Sequence, residues 1–163
     1  MMIEAVALAL PAAVFTALVA RRGWWLTRIR SWSMYPTLHD GDVVLTRRLR
    51  ETEPVRRGEV VLIASAELGR QVVKRVIGLP GDRVDVCAHG VTLNSVDLGE
   101  PYVVILGGAT GSFCVPMHTY FVLGDNRPQS NDSRCWMIPF VPATAIRGRL
   151  VSRPLRWRAR RVV

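Results

Sequence analysis

Lysine is almost absent from this sequence of 163 residues. Of its 22 lysine and arginine residues, 21 are arginine and one is Lys74. Because a guanidinium keeps its proton in proteins, Lys74 alone among them can become a neutral base through burial. The net charge of +9 indicates an acidic partner, and composition does not choose between anionic lipid and nucleic acid.

Several binding and catalytic motifs are also missing. The three cysteines form no Cys-x-x-Cys pair and no zinc-ligand spacing, so we expect no metal site. Gly-x-Gly-x-x-Gly, Gly-x-x-x-x-Gly-Lys-[Ser/Thr], His-Glu-x-x-His and Gly-x-Ser-x-Gly do not occur. We therefore predict no cofactor. A Ser–His–Asp triad stays open, since its members need not be close in sequence.

The longest apolar run lies at the N-terminus. Ala5–Ala20 contains no charged residue, and two arginines and two tryptophans follow closely. That run is roughly 24 Å of helix. A cleaved signal peptide begins with basic residues, and a buried helix of a soluble domain has a polar face. This segment has neither feature, so we predict that residues 1–22 are a membrane anchor.

After residue 40, short β-like runs alternate with turn sequences such as Asp40–Asp42 and Leu79–Asp82. The runs are Val43–Leu45, Val60–Ile63, Val72–Ile77, Val84–Val86, Val91–Leu93 and Tyr120–Leu123. We predict a mainly β fold, an antiparallel sheet assembly or small barrel behind one N-terminal transmembrane helix. Residues 23–152 would form that domain. An arginine-rich tail at 153–163 would be solvated or contact lipid headgroups.

A serine and the lone lysine are the candidate reactive groups. Lys74 lies in the apolar run Val72–Ile77, where alternation puts Val72, Lys74 and Val76 on one face. Burial there would lower its pKa and make it a base for a serine hydroxyl. Ser33 is the candidate nucleophile, because Pro36 fixes a turn just after it.

Four sequence blocks support this pairing: Ser33–Leu38, Gly41–Val44, Lys74–Asp82 and Gly124–Arg134. In this order, behind an apolar N-terminus, they resemble type I signal peptidases, the S26-type leader peptidases with a serine–lysine dyad. The resemblance covers roughly residues 31 to 134. It also implies that the family's second β-region is reduced here to Asp82–Met117.

The resemblance implies a role for each matched hydroxyl and amine. Ser33 would be the nucleophile and Lys74 the general base. The Ser31 hydroxyl would bind the oxyanion together with the Ser33 backbone N–H. Ser130 would orient the Lys74 amine. Trp32 departs from the family, which usually has a small residue between the two serines.

The resemblance also implies supporting and substrate-binding residues. Two ion pairs would brace the site, Asp125 with Arg75 and Asp132 with Arg134. Four apolar residues would line a shallow pocket for a small substrate side chain: Met34, Leu38, Val72 and Val73.

The implied function is that of a membrane-bound serine endopeptidase that removes signal or leader peptides from exported precursors after small residues. Its partners would be those precursors and membrane lipid, with no nucleic acid. The resemblance places a single-pass protein in the cell membrane with its catalytic domain outside the cytoplasm. The arginines after the anchor favour the opposite orientation by the positive-inside rule.

Two other functions remain open. One is a dedicated maturation protease for a single precursor, such as a pilin-like subunit or a secreted peptide. The other is a self-cleaving DNA-binding regulator with the same serine–lysine site. That regulator needs a DNA-reading domain, and only about 30 residues precede Ser33.

The cysteines carry one further expectation. Cys87 and Cys114 bracket the predicted β insertion, and an external domain lies where disulfides persist. We predict a Cys87–Cys114 bridge with Cys135 free. The alternative is three reduced thiols on a cytoplasmic domain.

Overall fold

The structure, a computed structural model, describes residues 23–50, 53–152 and 154. The predicted anchor and, apart from Pro154, the arginine-rich tail lie outside the described residues. Within those ranges, no helix is both long enough and apolar enough to cross a membrane.

The described residues form eleven β-strands and two 3-10 helices. The strands are β1 (Trp24–Arg28), β2 (Val43–Arg48), β3 (Val60–Ser65), β4 (Arg70–Gly78), β5 (Arg83–Cys87), β6 (Gly90–Leu93), β7 (Val96–Asp97), β8 (Gly111–Cys114), β9 (Thr119–Leu123), β10 (Val141–Pro142) and β11 (Ile146–Leu150). The 3-10 helices are Arg127–Gln129 and Ala143–Ala145. The mainly β prediction is confirmed, and all six predicted runs lie in strands.

Two antiparallel sheets organise these strands. The larger has the order β1-β2-β11-β3-β4-β9-β10, and the smaller has the order β7-β6-β5-β8. The smaller sheet falls within the predicted insertion Asp82–Met117. Strand β4 lies inside the larger sheet between β3 and β9, so both of its edges are hydrogen-bonded.

Strand β4 sends its side chains to different apolar clusters. Val76 packs with Val61, Ile63 and Val122 in one cluster, and Val72 lies against it. Ile77 packs in a second cluster with the smaller sheet, and Val73 lies against a third. The predicted alternation along β4 is therefore confirmed, and it places Lys74 and Arg75 on opposite faces.

The predicted Cys87–Cys114 disulfide is wrong. In the antiparallel pair β5–β8, Cys114 lies opposite Arg83, whereas Cys87 lies four residues further along β5. Four residues of strand span about 13 Å, and a disulfide requires Cα atoms within about 7 Å. All three cysteines, Cys135 included, are free and exposed.

Candidate active site

Lys74 is buried in the middle of β4, with 3% of its surface exposed. Its Nζ donates a hydrogen bond of 3.0 Å to Ser130 Oγ. Burial lowers the pKa of Lys74 to about 8, because the charged ammonium loses its hydration. The amine therefore becomes neutral at a pH more than two units below that of an exposed lysine.

Four charged side chains modulate this effect of burial on Lys74. Asp132 and Asp125 raise its pKa, whereas Arg134 and Arg70 lower it. Neither carboxylate forms an ion pair with Lys74 in the described part of the chain, since both bind arginines. The amine thus faces a neutral hydroxyl.

The arginine–carboxylate contacts follow the two predicted pairs. Arg75 donates from Nε to Asp125 Oδ1 at 2.8 Å and from Nη2 to the other carboxylate oxygen. Arg134 donates from Nε and Nη2 to the two oxygens of Asp132, at 2.8 and 2.9 Å. Asp132 also accepts the backbone N–H of Gly124 at 2.9 Å. These two-point contacts hold both acids in fixed positions.

Ser33 is held in a turn that joins β1 to β2. Its backbone carbonyl accepts the Asn126 N–H at 3.0 Å, which ties the turn to the loop after β9. The Ser33 N–H donates to Ser31 Oγ at 3.1 Å, and the Ser31 hydroxyl donates to Ser33 Oγ at 2.9 Å. The two predicted oxyanion donors therefore contact each other in this structure.

Ser33 and Lys74 line the same cavity, which has a volume of about 600 Å³. Among the hydrogen bonds of the described residues, none joins these two side chains directly, since Ser33 bonds to Ser31 and Lys74 to Ser130. Both groups nevertheless border one space in which a peptide bond could lie.

Gly124 brings the two halves of the site together. A Cβ added at this position would overlap Ser130 Oγ and would lie 2.5 Å from both Ser130 Cβ and the Ser33 carbonyl oxygen. Only a hydrogen atom fits there. Gly124 begins one of the four matched sequence blocks, but the sequence predicted no role for it, because no local pattern indicates this close approach.

The cavity contains three of the four predicted pocket residues, Met34, Val72 and Val73. Leu38 does not line it. Leu38 is buried in the cluster with Met34 and lines a separate cavity of about 630 Å³. The sequence analysis assigned no pocket role to the other cavity-lining residues: Thr27, Arg28, Ile29, Arg30, Leu62, Leu68, Arg70, Gln71, Gln129 and Asn131.

Trp32 also lines the cavity and is 53% exposed. Its ring lies 6.1 Å from that of Tyr35 and 6.2 Å from that of His39, measured between centroids. The residue that departs from the family pattern thus belongs to an aromatic group at the cavity edge. Across the ranges the structure describes, no cluster of His, Cys, Asp and Glu could hold a metal ion.

Comparison with known proteins gives a consistent result. A family model described as signal peptidase, peptidase S26, matches residues 2–155. Signal peptidase I of Bacillus licheniformis is 38% identical over 118 residues, which cover 65% of this chain and 63% of that protein. Signal peptidase I of Leptolyngbya laminosa is 36% identical over 135 residues, covering 77% of this chain and 66% of that protein.

A solved structure is also similar to this chain. The crystal structure of a signal peptidase I from Enterococcus faecalis V583 is 31% identical and has a TM-score of 0.55. The match covers 61% of this chain and 98% of that structure. The chain spans about three fifths of the length of the first curated relatives it matches.

Proposed function

The chain belongs to the signal peptidase family, peptidase S26, and on that basis we propose that it is a membrane-bound serine endopeptidase. It removes signal or leader peptides from exported precursor proteins. One observation supports the mechanism most strongly. The Lys74 amine is buried and hydrogen-bonded to a neutral hydroxyl, while Arg75 and Arg134 bind the nearby carboxylates.

In the proposed mechanism, neutral Lys74 takes the proton of Ser33 Oγ as that oxygen attacks the scissile carbonyl. The Ser33 hydroxyl, which accepts a hydrogen bond from Ser31, would turn its own proton towards the amine. Ser130 accepts a hydrogen bond from Lys74 and fixes the direction of its lone pair. The resulting ammonium then protonates the leaving amine, and a water molecule hydrolyses the acyl-enzyme by the reverse proton path.

The oxyanion would be stabilised by the Ser33 N–H and the Ser31 hydroxyl. Both groups are at the cavity edge, where the substrate carbonyl oxygen would replace their mutual contact. Met34, Val72 and Val73 give the cavity an apolar wall. The family resemblance implies a small side chain before the cleaved bond, and these three residues would give that side chain an apolar contact surface.

We propose that residues 1–22 anchor the enzyme in the cell membrane and that the catalytic domain lies outside the cytoplasm. The apolar composition of this segment and the family membership support this placement. Anchoring would bring the site close to the membrane-bound leaders of its precursors and raise their effective concentration.

The direct test is cleavage of a leader-bearing precursor by the full chain in detergent. We expect the wild type to release a mature protein whose new N-terminus follows a small residue, as read by mass spectrometry. Ser33→Ala should give no product. Ser112→Ala, an exposed serine on β8, is the matched control and should retain wild-type activity. Equal cleavage by Ser33→Ala and the wild type would exclude the proposed mechanism.

Trp32 favours a second candidate, a maturation protease dedicated to one precursor. A large ring beside the nucleophile restricts which peptides can enter the cavity. Co-expression with a panel of precursors distinguishes the two functions, since a general enzyme processes most of them and a dedicated enzyme processes one. Among the described residues before Ser33, Trp24–Arg28 form β1, and none forms a DNA-recognition helix.

A further inference from the structure

Residues 99–108, which we call the cover segment, connect β7 to β8 and pack against the proposed active site. The sequence predicted no role for this segment. It contacts three arginines: Arg75, Arg127 and Arg134. Two of them bind the carboxylates of the site, and Arg127 binds the Gly124 carbonyl. A segment that reaches all three can control where their charges lie.

The contact with Arg75 is made by Tyr102. Its ring lies 3.9 Å from the guanidinium carbon of Arg75, measured to the ring centroid, in a cation–π arrangement. Arg75 is buried and uses two nitrogens to bind Asp125. The ring therefore covers the guanidinium that neutralises Asp125, and it limits the directions in which Arg75 can move.

The contact with Arg127 is made by Glu100. Arg127 Nη2 donates to Glu100 Oε1 at 2.6 Å, and both side chains are almost fully buried. The Tyr102 hydroxyl donates to the same oxygen at 3.0 Å. Burial and the adjacent Glu100 raise the pKa of Tyr102, so its hydroxyl remains a donor. Glu100 thus links Tyr102 to Arg127.

Arg127 connects Glu100 to the loop after β9, which contains Gly124. Its Nε donates to the Gly124 carbonyl at 3.1 Å, and its own carbonyl accepts Arg134 Nη2 at 2.6 Å. Arg134 in turn donates from Nη1 to the Gly107 carbonyl of the cover segment at 3.1 Å. A Cβ added at Gly108 would lie 2.8 Å from Arg134 Nη1, so the packing here is tight.

The pKa of Lys74 depends on charged side chains of this network. Asp125 and Asp132 favour its protonated form, whereas Arg134 and Arg70 disfavour it. If Arg75 moved away from Asp125, the carboxylate would lose its positively charged partner, keep only the hydrogen bond from the Thr37 hydroxyl, and favour the protonated form of Lys74 more strongly. The position of Arg75 therefore bears on whether Lys74 can serve as a base at neutral pH.

We propose that Tyr102 and Glu100 are positioning residues that hold Arg75 on Asp125 and Arg127 on the loop of Gly124, and that they thereby keep Lys74 unprotonated for catalysis. The catalytic part of this inference rests on the proposed function. The charge control of Lys74 can be measured without any substrate.

The test uses the fact that Lys74 is the only lysine of the sequence. Full-length protein labelled with ¹³Cε-lysine, in detergent micelles, gives a single lysine side-chain resonance that can be followed from pH 6 to 12. The wild type should titrate near the value of about 8 given above. Tyr102→Leu, which removes the ring and the hydroxyl, should raise the measured pKa by about one unit.

Three further variants complete the titration. Tyr102→Phe keeps the ring over Arg75 and should shift the pKa by less than half as much as Tyr102→Leu. Glu100→Gln removes the negative charge that the Tyr102 hydroxyl and Arg127 share, and the resulting release of the ring from Arg75 should raise the pKa in the same direction as Tyr102→Leu. Tyr120→Leu is the matched control, because Tyr120 is half-buried against the first apolar cluster, and it should leave the pKa unchanged.

Two results would overturn the proposal. One is that Lys74 in folded Tyr102→Leu has the same pKa as in the wild type. The other is that Tyr120→Leu shifts this pKa as much as Tyr102→Leu does. If Tyr102→Leu does not fold, Glu100→Gln decides, since an unchanged pKa in that variant also overturns the proposal. Tyr102→Leu and Glu100→Gln should have a lower kcat than the wild type at pH 7 and a restored kcat near pH 10, with KM unchanged. Absence of cleavage by the wild type would refute the proposed function, while the titration would still judge the positioning roles.

Discussion

The Lys74 amine donates a hydrogen bond of 3.0 Å to the Ser130 hydroxyl, although the two residues are 56 positions apart in the sequence. This contact gives the amine a neutral partner at a depth where an unpaired ammonium would be costly. It leaves the nitrogen lone pair available once the proton is lost.

Lys74→Arg should abolish cleavage nearly as fully as Ser33→Ala. Arginine keeps the positive charge but cannot lose its proton, so the general base disappears. The expected loss in kcat is about 10²- to 10⁴-fold, measured as the initial rate of precursor cleavage. Arg83→Lys, on the exposed face of β5, is the control for an arginine–lysine exchange and should remain active. Substantial activity in Lys74→Arg would show that another group is the base.

Cleavage should increase with pH through the pKa of Lys74, which is about 8. Below that value the amine is protonated and inactive, so kcat/KM should rise about tenfold per pH unit and level off above it. The measurement is kcat/KM between pH 6 and 10, corrected for hydrolysis by Ser33→Ala. A profile that stays flat over this range while chemistry is rate-limiting would contradict the role of Lys74.

Lys74→Met should stabilise the fold while abolishing activity. The pKa of Lys74 in the folded state, about 8, lies below the ordinary value of 10.5, so the unfolded chain binds more protons between these pH values. The penalty for burying the amine is therefore complete below pH 8 and disappears above pH 10.5. We expect a gain of about 3 kcal/mol at pH 7 and almost none at pH 11, measured by urea unfolding. An equal gain at both pH values would implicate packing instead of charge.

Gly124→Ala should inactivate the enzyme. The added methyl group would push apart Ser130 and the Ser33 carbonyl, and a displacement of about 1 Å at a catalytic group costs about 100-fold in rate. The measurement is kcat for precursor cleavage, together with the melting temperature. Gly99→Ala is the matched control, since a Cβ there meets nothing within 4 Å. Wild-type kcat in Gly124→Ala would show that the close approach does not matter for catalysis.

All three cysteines should react with a maleimide in the folded, unreduced protein. Each thiol is free and exposed, so reductant and denaturant should not increase the number of labelled sites. Mass spectrometry of the labelled protein gives that number directly. Labelling of Cys135 alone without reductant would support the bridge that the β5–β8 register excludes.

The sequence predicted those parts of the molecule that local patterns encode. Short apolar runs between turn residues correctly indicated six of the strands, and alternation along β4 correctly separated the faces of Lys74 and Arg75. Five strands were not predicted, namely β1, β7, β8, β10 and β11. Two of these, β1 and β11, were missed for a physical reason. The tryptophans of β1 are equally suited to a membrane interface, and β11 contains Gly148 between two arginines, so neither has an apolar alternation.

Several features depended on contacts between distant parts of the chain. The register of β5 and β8 decides that Cys87 and Cys114 are too far apart, and the packing of Leu38 removes it from the cavity. No local pattern shows that Glu100 and Tyr102 contact the arginines of the site, because a hydrogen bond to Arg127 and a cation–π contact with Arg75, both between residues distant in the sequence, create those contacts. The sequence alone thus determined which chemical groups are available, and the tertiary structure decided which of them meet, because sheet register and side-chain packing set distances that spacing along the chain does not.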